Sequence, residues 1–382
     1  MKQWFSLLLA LWVGLCFCVP TAALPLSETA PPSVSAQGAI LINATDRSVY
    51  FEKSADLPMG MASTTKLMTA LVVAERTSPD DVVCISPEAV GIEGSSIYLI
   101  EGERLTVREL LYALLLSSAN DAATALAIFV AGDVAAFCDL MNQRAAELGL
   151  TQTHFTNPHG LYDEAHYTTA RELAAIAAEA LAHPLLRQIV RTTRYTIPHD
   201  GEPDQRLLLN HNKLLRDYDG AIGMKTGYTK KTGRTLVSAA ERNGLTLIAV
   251  TLNAPDDWRD HRAMLDYGFS HYEAITLPVG AFSYSLPVTG GVSNSVTLVN
   301  AEPLILTLPR GHGEPCYTVT GTGRFLVAEV PSQTTWGTVT LRCEGSEATS
   351  PLITVHRVAP RTKARQSPLD RILNFFRPEP TE

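Results

Sequence analysis

Three short groups of residues carry the chemical content of this chain: Ser63-Thr64-Thr65-Lys66, Ser118-Ala119-Asn120 and Lys225-Thr226-Gly227. A serine at a helix start feels the positive end of the helix dipole, which favours negative charge developing there. A lysine three residues on lies on the same face, so its amine reaches the serine hydroxyl. That lysine acts as a base only when neutral, which requires removal from water and a second cation nearby. The chemistry on offer is nucleophilic attack by an activated serine. Taken singly, each group also has a plainer reading. The first is an ordinary helix start with a solvated lysine, and the second a turn with an N-cap. The third is a strand with an exposed lysine, whose glycine permits close approach of a ligand backbone. Their occurrence together, in this order and each on a suitable element, is what separates the activated-serine reading from the plain ones.

The elements that must position these groups follow from periodicity. Ala39 to Asn43 and Ser48 to Phe51 flank a polar turn and predict a hairpin. A helical pattern runs from Ser63 to about Glu75. Thr106-x-x-Glu109 is a capping box that opens an apolar helix ending at Ser117-Ser118. A second helix starts near Asn120 and runs to about Ala131; a third spans Asp133 to Leu148, with Gly149 as its stop. Thr169-x-x-Glu172 opens another, to about Ala182. Strands are expected at Ile222 to Thr229, Thr235 to Glu241 and Leu245 to Leu252, the last two joined at Asn243-Gly244. A helix around Arg259 to Phe269 closes the region. The expected fold is α+β: an antiparallel sheet built from both ends of a long segment, with a helical body inserted between them. From Thr276 to about Val358 only strand-like runs alternate with Gly, Pro and Asn turns, which predicts a separate all-β domain.

The 382 residues are 46% hydrophobic and 18% charged, which excludes a disordered chain. The net charge of −8 gives no global attraction for nucleic acid. Lys2, an apolar run from Phe5 to Val19 and small residues at Thr21-Ala22-Ala23 predict a cleaved signal peptide over 1–23 and an exported protein. Residues 24–37 read as a linker. Without the signal the cysteines are Cys84, Cys138, Cys316 and Cys343. Their spacing supports no metal site, and the histidines lack any H-E-x-x-H spacing. Cys316 and Cys343 either pair across the β-domain or stay free, whereas Cys84 and Cys138 read as buried thiols. His159 reads as a structural residue of a Pro-Gly turn, and Glu172 is accounted for by its capping box. In the tail, 359–382, Leu369, Ile372, Leu373 and Phe376 share one helical face among basic residues, the composition of a helix on an anionic membrane surface.

Five blocks together resemble the exported D-alanyl-D-alanine carboxypeptidases, the low-molecular-mass penicillin-binding proteins. They are Ala62 to Thr69, Ser118 to Ala122, Asn157-Pro158-His159-Gly160-Leu161, Thr168-Thr169-Ala170 and Lys225 to Thr229. The resemblance covers a catalytic domain over 38–275, and the β-domain over 276–358 and the basic tail also match that family's layout. It implies the penicillin-binding, β-lactamase-like transpeptidase fold, no cofactor, and peptidoglycan stem peptides ending in D-Ala-D-Ala as substrate. It further implies acylation by β-lactams and a place at the outer face of the bacterial cytoplasmic membrane, or secretion. Ser63 would attack the penultimate D-alanine carbonyl with Lys66 as base. The amides of Ser63 and Tyr228 would form the oxyanion hole. Ser118 would pass a proton to the leaving D-alanine, and Asn120 would hold the substrate amide and Lys66. Lys225, Thr226 and Gly227 would bind the free carboxylate end. Where well-studied members place an arginine near that carboxylate the resemblance puts His211 in this chain, a weaker and pH-dependent cation or else a surface residue. A β-lactamase is disfavoured, because no E-x-x-L-N lies between the second and third motifs. A DD-endopeptidase and a binding module without turnover remain as alternatives.

Overall fold

The computed structural model describes residues 30–199 and 205–361. The expected signal peptide, the first residues of the linker and the tail from residue 362 lie outside the described residues. From Pro32 onward these residues belong to one compact unit.

Its central feature is a five-stranded antiparallel sheet. The strands are β1 (Gly38–Asn43), β2 (Val49–Lys53), β3 (Ala221–Thr229), β4 (Gly233–Arg242) and β5 (Leu245–Leu252), in spatial order β2-β1-β5-β4-β3. The alternation of side chains across a strand divides the interior. Ile40, Ile42, Ile248 and Val250 join the larger core with the helical body, while Ala39, Leu41, Leu247 and Ala249 face Met264, Leu265 and Phe269. Asn243 and Gly244 both have positive φ at the β4–β5 turn, as a tight hairpin requires.

The helical body consists of α1 (Lys66–Arg76), α2 (Val107–Leu116), α3 (Asn120–Ala131), α4 (Val134–Glu147) and α5 (Ala170–Ala182), while α6 (Asp257–His271) covers the other face. Thr106 and Glu109 form both halves of their capping box. At Thr169 only one half forms: its hydroxyl accepts from Glu172 N, but the Glu172 carboxylate turns to Gln152 N at 2.9 Å. Glu172 therefore ties down the preceding loop rather than completing the box. The end of the expected linker is also structural. Ala36 is fully buried, and Ser35 N and Ala36 N donate to Asp260 Oδ2 at 2.8 and 3.0 Å. A short helix, Pro184–Arg191, and a hairpin of Arg194–Ile197 with Arg206–Leu209 were not foreseen. Both are too short for periodicity to register.

Beyond α6 the chain is all β, and its own apolar core holds Leu286, Leu298, Leu306, Val339 and Leu341. Tyr272–Leu277 pairs with Leu304–Pro309, and six further strands form a second sheet closed by the parallel pair Val288↔Leu326. Tyr272 stacks on Tyr50 of β2, which joins this part to the central sheet. All four described cysteines are free. Cys316 lies opposite Arg342 in the ladder and is exposed, whereas the neighbouring Cys343 is buried. Of the two expectations for this pair, the structure has the free thiols. Cys138 is buried as expected, but Cys84 is exposed, at the end of a three-residue strand. Among the described residues no single helix is long and apolar enough to cross a membrane.

Candidate active site

The Ser63 segment starts as a 3-10 turn, Ala62–Thr65, and becomes α-helix only at Lys66. Ala62, just before the serine, has φ +46°. Ser118, Tyr98 and Met224, the last adjoining Lys225, also have positive φ. Such backbone costs on the order of 1–3 kcal/mol per residue and persists only where the surroundings enforce it. Here the surroundings are visible. Gly160, at φ +87°, passes so close that a Cβ on it would lie 1.9 Å from the Ala62 carbonyl oxygen. On the other side Thr235 Oγ1 donates to Met61 O at 3.0 Å.

Lys66 is wholly buried, and its Nζ lies 3.1 Å from Ser63 Oγ, 2.7 Å from Asn120 Oδ1 and 2.6 Å from His159 O. Asn120 Nδ2 donates to Glu93 O at 2.6 Å, which fixes the amide with its oxygen toward the lysine. Desolvation pushes the Lys66 pKa far down, Lys225 pushes it the same way, and Asp121 opposes them. Lys225 is buried too, donates to Thr226 O at 2.8 Å, and has its pKa pushed down to about 7 by burial. Asp121 accepts from Ser96 Oγ at 2.6 Å and from the amides of Ile97 and Leu99 at 3.1 Å, holding the 96–99 loop beside the cleft.

β3 is the edge of its sheet, so Lys225-Thr226-Gly227 lies on a free margin. Gly227 lets that margin approach the serine: a Cβ there would stand 2.3 Å from Thr235 Oγ1 and 3.0 Å from Ser63 N. A cleft of about 330 Å³ opens between them. Ser63, Ser118, Thr226, Gly227, Tyr228 and His211 line it, while Lys66, Asn120 and Lys225 sit buried. All nine residues singled out in the sequence thus lie on the Ser63 turn, the α2–α3 turn, β3 or the segment before it. His211 borders the cleft, and burial followed by Lys225 lowers its pKa below 6.5.

The cleft also holds residues that sequence reasoning missed. Arg234 and Asp257 both line it, 4.0 Å apart, with the Arg234 guanidinium over the Tyr228 ring. Arg234 lies opposite Tyr228 in the β3–β4 ladder, as the second residue of the strand that follows the third motif's turn, and that position is its signal in the sequence. Trp258 and Lys213 complete that end. The His159 carbonyl left no side-chain signal to read. Among the described residues no group of His, Cys, Asp and Glu is arranged to hold a metal ion.

Comparison with known proteins agrees with this geometry. The family model for D-alanyl-D-alanine carboxypeptidase matches residues 26–256. The D-alanyl-D-alanine carboxypeptidase DacC of Escherichia coli is 33% identical over 331 residues, 81% of each chain. DacF of Bacillus subtilis is 32% identical over 288 residues, 72% of this chain and 73% of its own. The crystal structure of penicillin binding protein 5 from Haemophilus influenzae superposes with a TM-score of 0.65 at 28% identity, covering 86% of this chain and 99% of that one. The same fold, the same span and the three motifs around one cleft place this chain in the D-alanyl-D-alanine carboxypeptidase family of serine hydrolases.

Proposed function

We propose that Ser63 is the nucleophile and Lys66 its base in the removal of the terminal D-alanine from peptidoglycan stem peptides. The proton inventory at Lys66 carries this reading. A neutral amine has two N–H bonds and one lone pair. Asn120 Oδ1 and the His159 carbonyl can only accept, so they take both N–H bonds. The lone pair is left facing Ser63 Oγ, which lies 3.1 Å away and can give up its proton.

The steps follow. Ser63 Oγ attacks the penultimate D-alanine carbonyl as its proton passes to Lys66. The amides of Ser63 and Tyr228 receive the oxyanion; one such donor is worth about 2.7–4 kcal/mol. Ser118 passes a proton to the departing D-alanine amine, and water then hydrolyses the ester. Lys225, Thr226 and Arg234 receive the free carboxylate. Arg234 suits that task better than His211, because a guanidinium stays charged at any working pH. β-Lactams acylate the same serine.

Two measurements test the reading. Ser63→Ala should show no labelling by a fluorescent penicillin; persistent labelling would reject the nucleophile. Mass spectrometry of a pentapeptide muropeptide incubated with the parent protein should show loss of one alanine. Cleavage of a cross-linked dimer in its place would make the enzyme an endopeptidase, and no change a binding module. We also propose export, on the signal-like start, and attachment of the basic tail to an anionic membrane surface. The mature protein should co-sediment with anionic vesicles at low salt and less at high salt, and a version ending at Ser367 should bind far less; equal binding by both would reject the anchor.

A further inference from the structure

His166 takes no part in the chemistry above, yet it touches the turn that presents the nucleophile. It is buried, in an edge-to-face pair with the Phe155 ring. The Thr156 amide donates to its Nδ1 at 3.1 Å, and an amide cannot accept. Nδ1 is therefore the bare nitrogen, and a neutral ring carries its proton on Nε2. Nε2 lies 2.7 Å from Thr65 Oγ1. With that oxygen accepting, the Thr65 hydroxyl proton is free to go to the Ala62 carbonyl, also at 2.7 Å. The ring is neutral at ordinary pH: burial takes its pKa down to about 4, Asp163 opposes this, and His154 and Lys66 add to it. His159 stands nearby and is itself held neutral by burial.

We propose that His166 is a positioning residue for the nucleophile: one directional run of hydrogen bonds, from Thr156 N–H through His166 and Thr65, pins the Ala62 carbonyl. That carbonyl belongs to the left-handed residue immediately before Ser63. Gly160 closes on it from a second direction, so the carbonyl is held between a hydroxyl and a backbone. The relay has a fixed polarity. If the ring also carried a proton on Nδ1, that proton would meet the Thr156 N–H head on, and the run would break at its first link.

The proposal rests on Ser63 being the nucleophile, and the Ser63→Ala labelling result tests that separately. Glutamine supplies a donor near the place of Nε2, and asparagine an acceptor near Nδ1. His166→Asn and Thr65→Val should each slow penicillin acylation about 10- to 100-fold, the scale of a misplaced reacting atom. The dissociation constant before acylation should not move. His166→Gln and Thr65→Ser should stay within about threefold of the parent, and the His166→Asn/Thr65→Val double variant should be no slower than the slower single one, as members of one run are not additive. Additive losses, or a glutamine variant as slow as the asparagine one, would overturn the relay. Ring nitrogen NMR of the unaltered protein near pH 7 should show the His166 proton on Nε2; a proton on Nδ1 would overturn it without any variant having to fold.

Discussion

Replacing Gly227 by alanine tests whether the close approach of β3 to the Ser63 turn matters for acylation. The new methyl group would start 2.3 Å from Thr235 Oγ1, 3.0 Å from Ser63 N and 3.2 Å from Ala62 Cβ. Ordinary contact begins at 3.4 Å, so relief against Thr235 alone requires a shift of about 1 Å (3.4 less 2.3). Two routes are open. Thr235 can rotate away and forfeit its bond to Met61 O, which holds the serine turn. Alternatively β3 can move outward and carry the Tyr228 amide with it. Either displaces an oxyanion donor relative to Ser63, and a misplacement of about 1 Å costs on the order of 100-fold in rate. Overpacking itself costs about 1–3 kcal/mol of stability. Stopped-flow acylation by a fluorescent penicillin gives the rate, and urea unfolding gives the stability. Adding Thr235→Ala should recover part of the stability but not the rate, because the contact with Ser63 N persists. Acylation of the single variant within about threefold of the parent would refute the argument that this gap sets the geometry.

Lys66→Arg should lower acylation by at least about 100-fold, since a guanidinium cannot accept the serine proton; activity within tenfold of the parent would remove Lys66 as the base. Because Lys66 works neutral and its pKa is lowered, kcat/KM should rise with pH on a limb lying well below pH 10.5 and fall again as Lys225, pushed down to about 7, loses its charge; a rise confined to pH values near 10.5 would contradict the assignment. Arg234→Gln should raise KM for a peptide with a free C-terminal carboxylate about tenfold or more, with no change for its C-terminal amide; equal effects on both would detach Arg234 from the carboxylate. His166 and His261 have folded pKa values of about 4 and about 3 against 6.5 unfolded. The unfolded chain therefore binds more protons below pH 6.5, and stability present above that value is lost as pH falls toward 4. Each contributes a slope of about 1.4 kcal/mol per pH unit, so urea unfolding at pH 7 and pH 5 should differ; identical midpoints would contradict their burial as neutral rings.

Much of the fold was legible because its signals are local. Thr106 and Glu109 announce a helix start, Asn243-Gly244 a hairpin, and the short apolar runs of β4 and β5 on either side of it a pair of strands. The site's motifs were legible for the same reason, as Ser63 and Lys66 are three residues apart and share one turn. What escaped was whatever depends on distant partners. Asp260 reaches back more than two hundred residues to hold Ser35 and Ala36, which by composition are a linker. Glu172 abandons the box its spacing suggests for a loop twenty residues upstream. Arg234 enters the cleft only because it stands opposite Tyr228, and the His159 acceptor is a backbone atom. His166 has no neighbour in sequence that betrays its bond to Thr65.

The pairing of β1 with β5 bears on how the molecule is made. Gly38 lies opposite Leu252, so one of the two strands is synthesised more than two hundred residues after the other. Closing so long a loop brings its reward late, and non-local pairing of this kind folds slowly. Helices α1 to α5 can form from neighbours in the meantime, but the sheet has to wait. Ser63 and Lys66 emerge early, while the glycine that approaches them and the lysine that depresses the base's pKa arrive about 160 residues afterwards (Lys225 less Lys66 is 159). A chain ending before Leu245 therefore lacks the strand that lies between β1 and β4 in the sheet. If Ser63 and Lys66 act as proposed, completing the sheet is also the step that would bring Lys225 and Gly227 to them.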